Sequence, residues 1–292
     1  MRLGVFDSGI GGLTVLSELR RRLRGARFVY YGDTANVPYG TKSAAQVLAL
    51  SQAAARRFHE WKVDALVVAC NTASSVAIPA MKAELGGIPV IGVVEPGVES
   101  VLEAFSAIRE GVPDRNRPKP RSELPPILVL ATRGTVRSGV YGRLFRDLLE
   151  PAVSRHEKPY PVIEQACPLL VPMIEEGWVE HPVLQQTLEE YVRGYASARV
   201  PGVCLLGCTH YPWILGAVER ALPGWRVVNS AQAVANAVAR AEFWQKYQKA
   251  LGPRSLTGSE GPVEWHFSDP EALPEFAQRF IQTLEKQVPM HE

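Results

Sequence analysis

Two segments far apart in this chain share one layout, and together they constrain the fold more than any other feature. Residues 63–74 read VDALVVACNTAS, and residues 202–212 read GVCLLGCTHYP. Each is a short apolar run that ends in a cysteine with a threonine just beyond it. The continuous apolar stretch from Ala65 to Ala69 suits a strand covered on both faces, as in a parallel sheet. The chemistry then turns to thiol, amide and hydroxyl at Cys70. Thr72 or Ser74 is expected to cap a following helix over Val76 to Leu85, ended by Gly86-Gly87. A thiol at a strand end facing a helix N-terminus sits in a field that favours thiolate. One such cysteine alone reads more readily as a buried, inert residue. The second copy, ending in Cys208, argues against that.

Length and charge remove several classes of function. The 292 residues make one large or two modest domains, enough for a real core. With 32 basic and 30 acidic residues the net charge is +2, which gives no support for a nucleic-acid or membrane partner. The start, Met1 to Asp7, enters a strand with an acid inside it, unlike a signal peptide. No apolar stretch is long enough to span a bilayer. A cytoplasmic setting, with reduced cysteines, is expected. The four cysteines are Cys70, Cys167, Cys204 and Cys208. If 204–208 is extended, Cys204 and Cys208 lie roughly 13 Å apart at about 3.3 Å per residue. That is too far to share one zinc ion or to close a disulfide, so no metal site is expected.

Along the chain, strands and helices alternate. Arg2 to Phe6 reads as a strand, followed by the turn Asp7 to Gly12 and a helix with Leu13, Leu16, Leu19 and Leu23 on one stripe. The basic run Arg20, Arg21, Arg22 and Arg24 reads as the solvated end of that helix. The Gly-rich turn lacks both the P-loop ending and the spacing of a dinucleotide fingerprint. A second strand ends at Asp33, before the loop Pro38-Tyr39-Gly40. Residues 109–126, rich in proline and charge, read as a mobile surface loop. Later strands end at Thr132, Cys167 and Cys208. The fold class expected is α/β. It has two related domains, each a parallel-sheet, doubly wound α/β sandwich, with the active site in the cleft between them. Residues 1–97 plus 213–292 form the first domain and 98–212 the second. A weak internal echo supports the pairing: strand–Asp7-Ser8 then strand–Cys70 resembles strand–Thr132 then strand–Cys208.

Three reactions compete for two strand-end cysteines. A thiol hydrolase needs one cysteine and one histidine, which leaves a thiol surplus. A dithiol redox site usually uses a CxxC, which is absent. A two-base proton transfer needs a weak base on each face of a carbon, and two cysteines in mirrored settings fit that demand best. A thiol lowered to a pKa of about 7 would be roughly half thiolate at neutral pH. Asp7 and His210 are the neighbours expected to lower it.

Several segments in register carry a family resemblance. Asp7 to Thr14, Gly32-Asp33-Thr34, Pro38-Tyr39-Gly40, Ala69 to Ala73, Ala131 to Thr135, Ala166 to Pro168 and Gly207 to Pro212 together resemble the glutamate racemases. The aspartate-specific branch of the superfamily usually has an acid after the second Cys-Thr, whereas His210 stands here. The resemblance implies cofactor-independent interconversion of L- and D-glutamate, supplying D-glutamate for bacterial peptidoglycan. It implies Cys70 and Cys208 as the acid/base pair, Cys70 serving D-glutamate and Cys208 serving L-glutamate, with Asp7 and His210 as assistants. It further implies substrate contacts from Asp7, Ser8, Pro38, Tyr39, Gly40, Cys70, Asn71, Thr72, Thr132, Thr135, Cys208, Thr209 and His210. A homodimer is implied, and no metal or cofactor. Two residues depart from the family: Asn36 stands where Arg is usual, and Asn229 where Asp is common. An aspartate racemase, a thiol hydrolase or a catalytically idle binding protein are the alternatives.

Overall fold

The computed structural model describes residues 1–110, 125–149, 162–196, 201–252 and 260–286. Most of the expected loop at 109–126 lies outside the described residues. Five strands make the first sheet: β1 (Arg2–Asp7), β2 (Arg27–Gly32), β3 (Ala65–Val68), β4 (Val90–Gly92) and, from the far end of the chain, β9 (Val263–Phe267). Four make the second: β5 (Ile127–Ala131), β6 (Val162–Ala166), β7 (Val203–Gly207) and β8 (Arg226–Asn229). Every pairing is parallel. The orders are β4-β3-β1-β2-β9 and β6-β5-β7-β8. Read from the opposite edge, the second sheet is β8-β7-β5-β6, the same order as β4-β3-β1-β2. The internal echo in the sequence is therefore an echo of topology.

Both sheets are covered on both faces, because their strands alternate two apolar sets. In the first sheet Leu3, Val5, Phe28, Tyr30 and Val67 face one way. They meet α1 (Leu13–Arg22), with Leu13, Leu16 and Leu19 fully buried, as the leucine stripe predicts. Phe6, Val29, Tyr31, Leu66 and Val68 face the other way. There they meet α2 (Ala44–Glu60), α3 (Asn71–Val76) and α4 (Ile78–Glu84). A capping box at Ser43 and Gln46 starts α2. The second sheet repeats the scheme. α5 (Val94–Glu110) lays Val98, Val101 and Phe105 on one face, beside α6 (Arg133–Ser138) and α7 (Val140–Leu149). The other face is filled from α8 (Leu170–Glu175), α9 (Pro182–Ala196) and α10 (Leu215–Ala221). Finally α11 (Ser230–Arg240), α12 (Glu242–Leu251) and α13 (Glu275–Lys286) return to the first sheet. No helix among the described residues is long and apolar enough to cross a membrane.

The structure corrects several expectations. The break expected at 97/98 falls inside α5, whose apolar face already belongs to the second core from Val94. The break expected at 212/213 precedes β8, which pairs with β7 at Val203↔Arg226 through Leu206↔Asn229. By strand pairing, the second sheet keeps the chain to Asn229. The helix expected over 76–85 is two helices, broken at Ala77, and the first begins directly at Asn71. Its cap is neither Thr72 nor Ser74 but Cys70, whose Sγ accepts from the Ala73 N–H.

The basic run was expected to be solvated, and Arg20 is not. It is fully buried, donating to the carbonyls of Gly261 at 3.1 Å and Leu284 at 2.9 Å, with Glu260 at 3.7 Å. It lies one turn from Leu16 on the apolar stripe, so the helix carries it inward, where it ties the C-terminal segment to α1. Arg20→Met, which keeps the stem and removes the charged head, should leave both carbonyls without that donor. The expected loss is about 2 kcal/mol, or roughly 5 °C in melting temperature. An unchanged thermal melt would refute this role.

Candidate active site

The carboxyl ends of β1, β3, β5 and β7 bring the polar residues together, at the point where strand order reverses in each sheet. Register fixes their neighbours. Phe6 pairs with Val68, which sets Ser8 beside Cys70, and Ala131 pairs with Gly207, which sets Thr132 beside Cys208. Both cysteines are only 5% exposed, so their chemistry is governed by protein groups rather than bulk water.

The Cys70 thiol lies 3.4 Å from the Ser8 hydroxyl, to which it donates, and its sulfur accepts from Ala73 N–H at 3.5 Å. Asp7 is wholly buried beneath it, accepting from Gly9 N–H at 3.0 Å and from the Thr209 hydroxyl at 3.3 Å. Burial pushes the Asp7 carboxyl up, against the pull of His210 and its hydrogen-bond donors. Burial and then the Asp7 charge push the Cys70 thiol up to about 12, despite Ser8 and the helix N-terminus. This reverses the expectation that Asp7 lowers it. A neighbouring anion disfavours thiolate, and the sequence reading gave Asp7 the wrong sign.

At Cys208 the setting is different. His210 Nδ1 lies 3.8 Å from the Cys208 sulfur, and its Nε2 lies 2.9 Å from Glu175 Oε1, at the end of α8. Burial alone would lower the His210 pKa. The hydrogen bonds to Cys208 and Glu175 outweigh it and raise the value to about 10. His210 is thus held as a cation between two anion-forming groups. Glu175 had no role in the sequence reading, because nothing distinguishes it there from Glu176, which follows it. Its only signal is its place on the helix after the strand end at Cys167-Pro168.

The two halves are stitched together at this seam. Thr14 Oγ1 donates to the Thr209 carbonyl at 2.8 Å. Thr72, Thr132 and Thr135 form a triangle of hydroxyls with edges of 3.0, 3.2 and 3.1 Å. Asn71 Nδ2 donates to the Tyr141 hydroxyl at 2.8 Å, leaving its buried Oδ1 with no partner among the described residues. Tyr141 is itself fully buried on α7. Gly40 lies against Thr132, and a methyl group there would fall 2.7 Å from Thr132 Cβ, so the close approach requires glycine. Two expected contact residues stand differently. Pro38 is exposed, and the Tyr39 hydroxyl is committed to Asp33 at 2.7 Å. The departures from the family have local explanations: Asn36 donates to Asp33 at 3.0 Å, and Asn229 caps α11 by accepting from Ala231 N–H. Cys167 and Cys204 are buried in the core of the second sheet.

The fold and site define an α/β protein with paired parallel sheets and two buried thiols at their facing ends. The Asp/Glu/Hydantoin racemase family model matches residues 11–238. The glutamate racemase of Persephonella marina is 37% identical over 235 residues, 80% of each chain. That of a Thermus thermophilus strain is 36% identical over 283 residues, 97% of this chain and 93% of the relative. The crystal structure of the Francisella tularensis glutamate racemase in complex with D-glutamate superposes with a TM-score of 0.76. It is 27% identical, and the match covers 96% of this chain and 93% of that one. The chain belongs to the Asp/Glu/Hydantoin racemase family and is an isomerase.

Because the His210 pKa is raised from 6.5, its interactions favour the folded state fully below that value and fade as pH rises through about 10. Glu175→Gln should lower the His210 titration midpoint, read by NMR of the imidazole. The stability difference between parent and variant should be largest near the acid end of that window and shrink toward its alkaline end. An unmoved midpoint would rule out Glu175 as the partner that holds the imidazole charged.

Proposed function

We propose that this isomerase interconverts L- and D-glutamate without a cofactor, using Cys70 and Cys208 as the acid/base residues on opposite faces of Cα. The observation that carries the reading is the equivalence of the two thiols. Each follows the third strand of its half, in sheets of matching order whose ends meet at one polar seam. The D-glutamate bound by the Francisella relative supports the substrate class.

In one direction a Cys208 thiolate takes the Cα proton of L-glutamate. The C–H electron pair remains on Cα and spreads into the adjacent carboxylate, and the Cys70 thiol delivers its proton to the opposite face. The reverse reaction exchanges the roles. Hydroxyls and helix-terminal N–H groups stabilise the charge that develops on the carboxylate oxygens. Thr72, Thr132, Thr135, Ser8 and Thr209 supply such hydroxyls. The unpartnered Asn71 Oδ1 is an acceptor suited to the substrate ammonium. Gly40, with backbone against Thr132, lines the same seam.

The two thiols rest in unlike settings, and the chemistry uses the difference. With its pKa near 12, Cys70 rests as a thiol and is ready to donate. At Cys208 the His210 Nδ1 lies 3.8 Å from the sulfur, placed to receive or return a proton as the thiol changes role. For the reverse direction the Cys70 proton needs a base, and Asp7, whose carboxyl is pushed up by burial, is the nearby candidate. D-glutamate made this way would serve bacterial peptidoglycan synthesis in the cytoplasm, and the enzyme would act as a homodimer.

Incubation with L-glutamate should abolish optical rotation, while L-aspartate in parallel should keep its own. Persistent rotation of L-glutamate would defeat the reading. Cys70→Ala and Cys208→Ala should each abolish racemisation, a loss of at least roughly a thousandfold for removal of an essential acid/base group. Cys167→Ala and Cys204→Ala should keep most turnover, since both thiols are fully buried in the core of the second sheet. Activity retained in either of the first pair would sink the two-thiol assignment.

A further inference from the structure

A line of aromatic rings runs from the C-terminal helix to the candidate acid/base histidine. The His210 imidazole meets Trp213 edge to face, with centroids 5.8 Å apart and planes at 75°. Trp213 in turn meets Phe276 at 5.1 Å and 87°, and Phe280 at 5.9 Å and 86°. Those phenylalanines are four residues apart on α13 and so share one face of it. A second wall of the imidazole comes from the first half of the chain. A methyl group on Gly11 would lie 2.5 Å from His210 Nδ1 and 2.7 Å from Cε1, so only a bare backbone fits there.

This enclosure addresses a specific geometric need. His210 must reach Cys208 with one nitrogen and Glu175 with the other. The ring can turn about its Cα–Cβ and Cβ–Cγ bonds, and hydrogen bonds at its two nitrogens, one of them long, restrain that turn only loosely. The contact to sulfur is long, so a small tilt removes it. Packing against the flat ring edges is what restrains that tilt. Trp213 is only partly buried and packs against the cores of both halves, so it bridges them rather than filling either.

We infer that Trp213 is a positioning residue for His210 and that α13 acts through it, so the C-terminal helix sets the geometry of the Cys208 face. The inference rests on the reading of Cys208 and His210 as an acid/base pair. Trp213 touches neither thiol; it fixes the imidazole that meets Cys208.

The test uses the full chain with Trp213→Ala, Trp213→Phe and Phe280→Ala. Trp213→Ala should lower kcat by roughly tenfold to a hundredfold, the scale expected of a misplaced catalytic group, with KM nearly unchanged. Because proton transfer at Cys208 becomes more rate-limiting, the primary isotope effect on kcat/KM should rise for Cα-deuterated L-glutamate and fall for the D form. Trp213→Phe should restore most of kcat, and Phe280→Ala should move both isotope effects in the same sense as Trp213→Ala, but less. NMR titration of His210 gives a readout independent of turnover, and its midpoint should move in Trp213→Ala.

A lower melting temperature with unchanged isotope effects and an unmoved His210 midpoint would mean that Trp213 only packs, and would overturn the inference. So would a shift of both isotope effects in one direction. If Trp213→Ala does not fold, Trp213→Phe and Phe280→Ala are judged by the same midpoint and isotope effects. Cys208→Ala run alongside separates the two claims. Turnover without that thiol defeats the two-cysteine reading, while a moved His210 midpoint in the Trp213 variants still upholds the positioning.

Discussion

The seam between the two sheets is built from polar groups that satisfy each other across it, and the rest of the structure depends on that arrangement. An apolar seam would have closed the halves into one inert core. Here Thr209 donates to Asp7, Thr14 donates to Thr209, Asn71 donates to Tyr141 and Thr72 meets Thr132 and Thr135. A buried polar group without a partner costs about 1–3 kcal/mol, so each pairing holds the two strand-end regions in register. Hydroxyl and amide groups of this kind can also hydrogen-bond a polar ligand, which an apolar seam could not do. Asn71 Oδ1, buried and without a partner among the described residues, marks where the network is open.

The same burial explains why the site is electrostatically strained. Asp7 and Cys70 both have raised pKa values because desolvation disfavours their anions, and His210 is raised only because two anion-forming partners outweigh desolvation. The desolvated Asp7 and Cys70 lower the stability of the fold, whereas the partners of His210 contribute to it, and perturbed groups of both kinds cluster at functional sites. The apolar framework that carries them is conventional by comparison. The strands alternate cleanly between two cores, and the buried Arg20 fastens the C-terminal segment that supplies β9 and α13.

Much of this was legible in the sequence because strands ending in reactive side chains announce themselves locally. Cys70, Cys208, Asp7, Ser8 and Thr132 all stand where an apolar run stops, and the parallel fold follows from the same runs. What was not legible depends on contacts made at a distance. Glu175 acts through a histidine thirty-five positions later in the chain. Tyr141 sits on an apolar stripe, and its hydroxyl matters only because Asn71 arrives from the other half. Arg20 looked solvated because its neighbours are. β8 was assigned to the wrong half because pairing partners, not periodicity, decide sheet membership. The sign of Asp7's effect on Cys70 was missed for a related reason. Proximity was inferred correctly, but the consequence depends on charge and burial together.

The topological match between the halves makes their chemical mismatch informative. Ser8 and Thr132 hold equivalent register beside the two cysteines, so the duplicated frame supplies like groups at like places. The assistants break the symmetry, with a buried acid near one thiol and a histidine–glutamate pair near the other. A racemase can accommodate that asymmetry. Its two enantiomeric substrates have equal free energy in water, so kcat/KM is equal in both directions whatever the assistants are. Unequal assistants change only how the barrier is divided between the two proton transfers and which protonation state waits for substrate. Geometry on each face is therefore constrained more tightly than identity. In the two-thiol reaction proposed above, one face starts from a thiol and the other from a thiolate. Cys70 is buried beside an acid, and the His210 ring lies between the Cys208 sulfur at 3.8 Å and Glu175 at 2.9 Å.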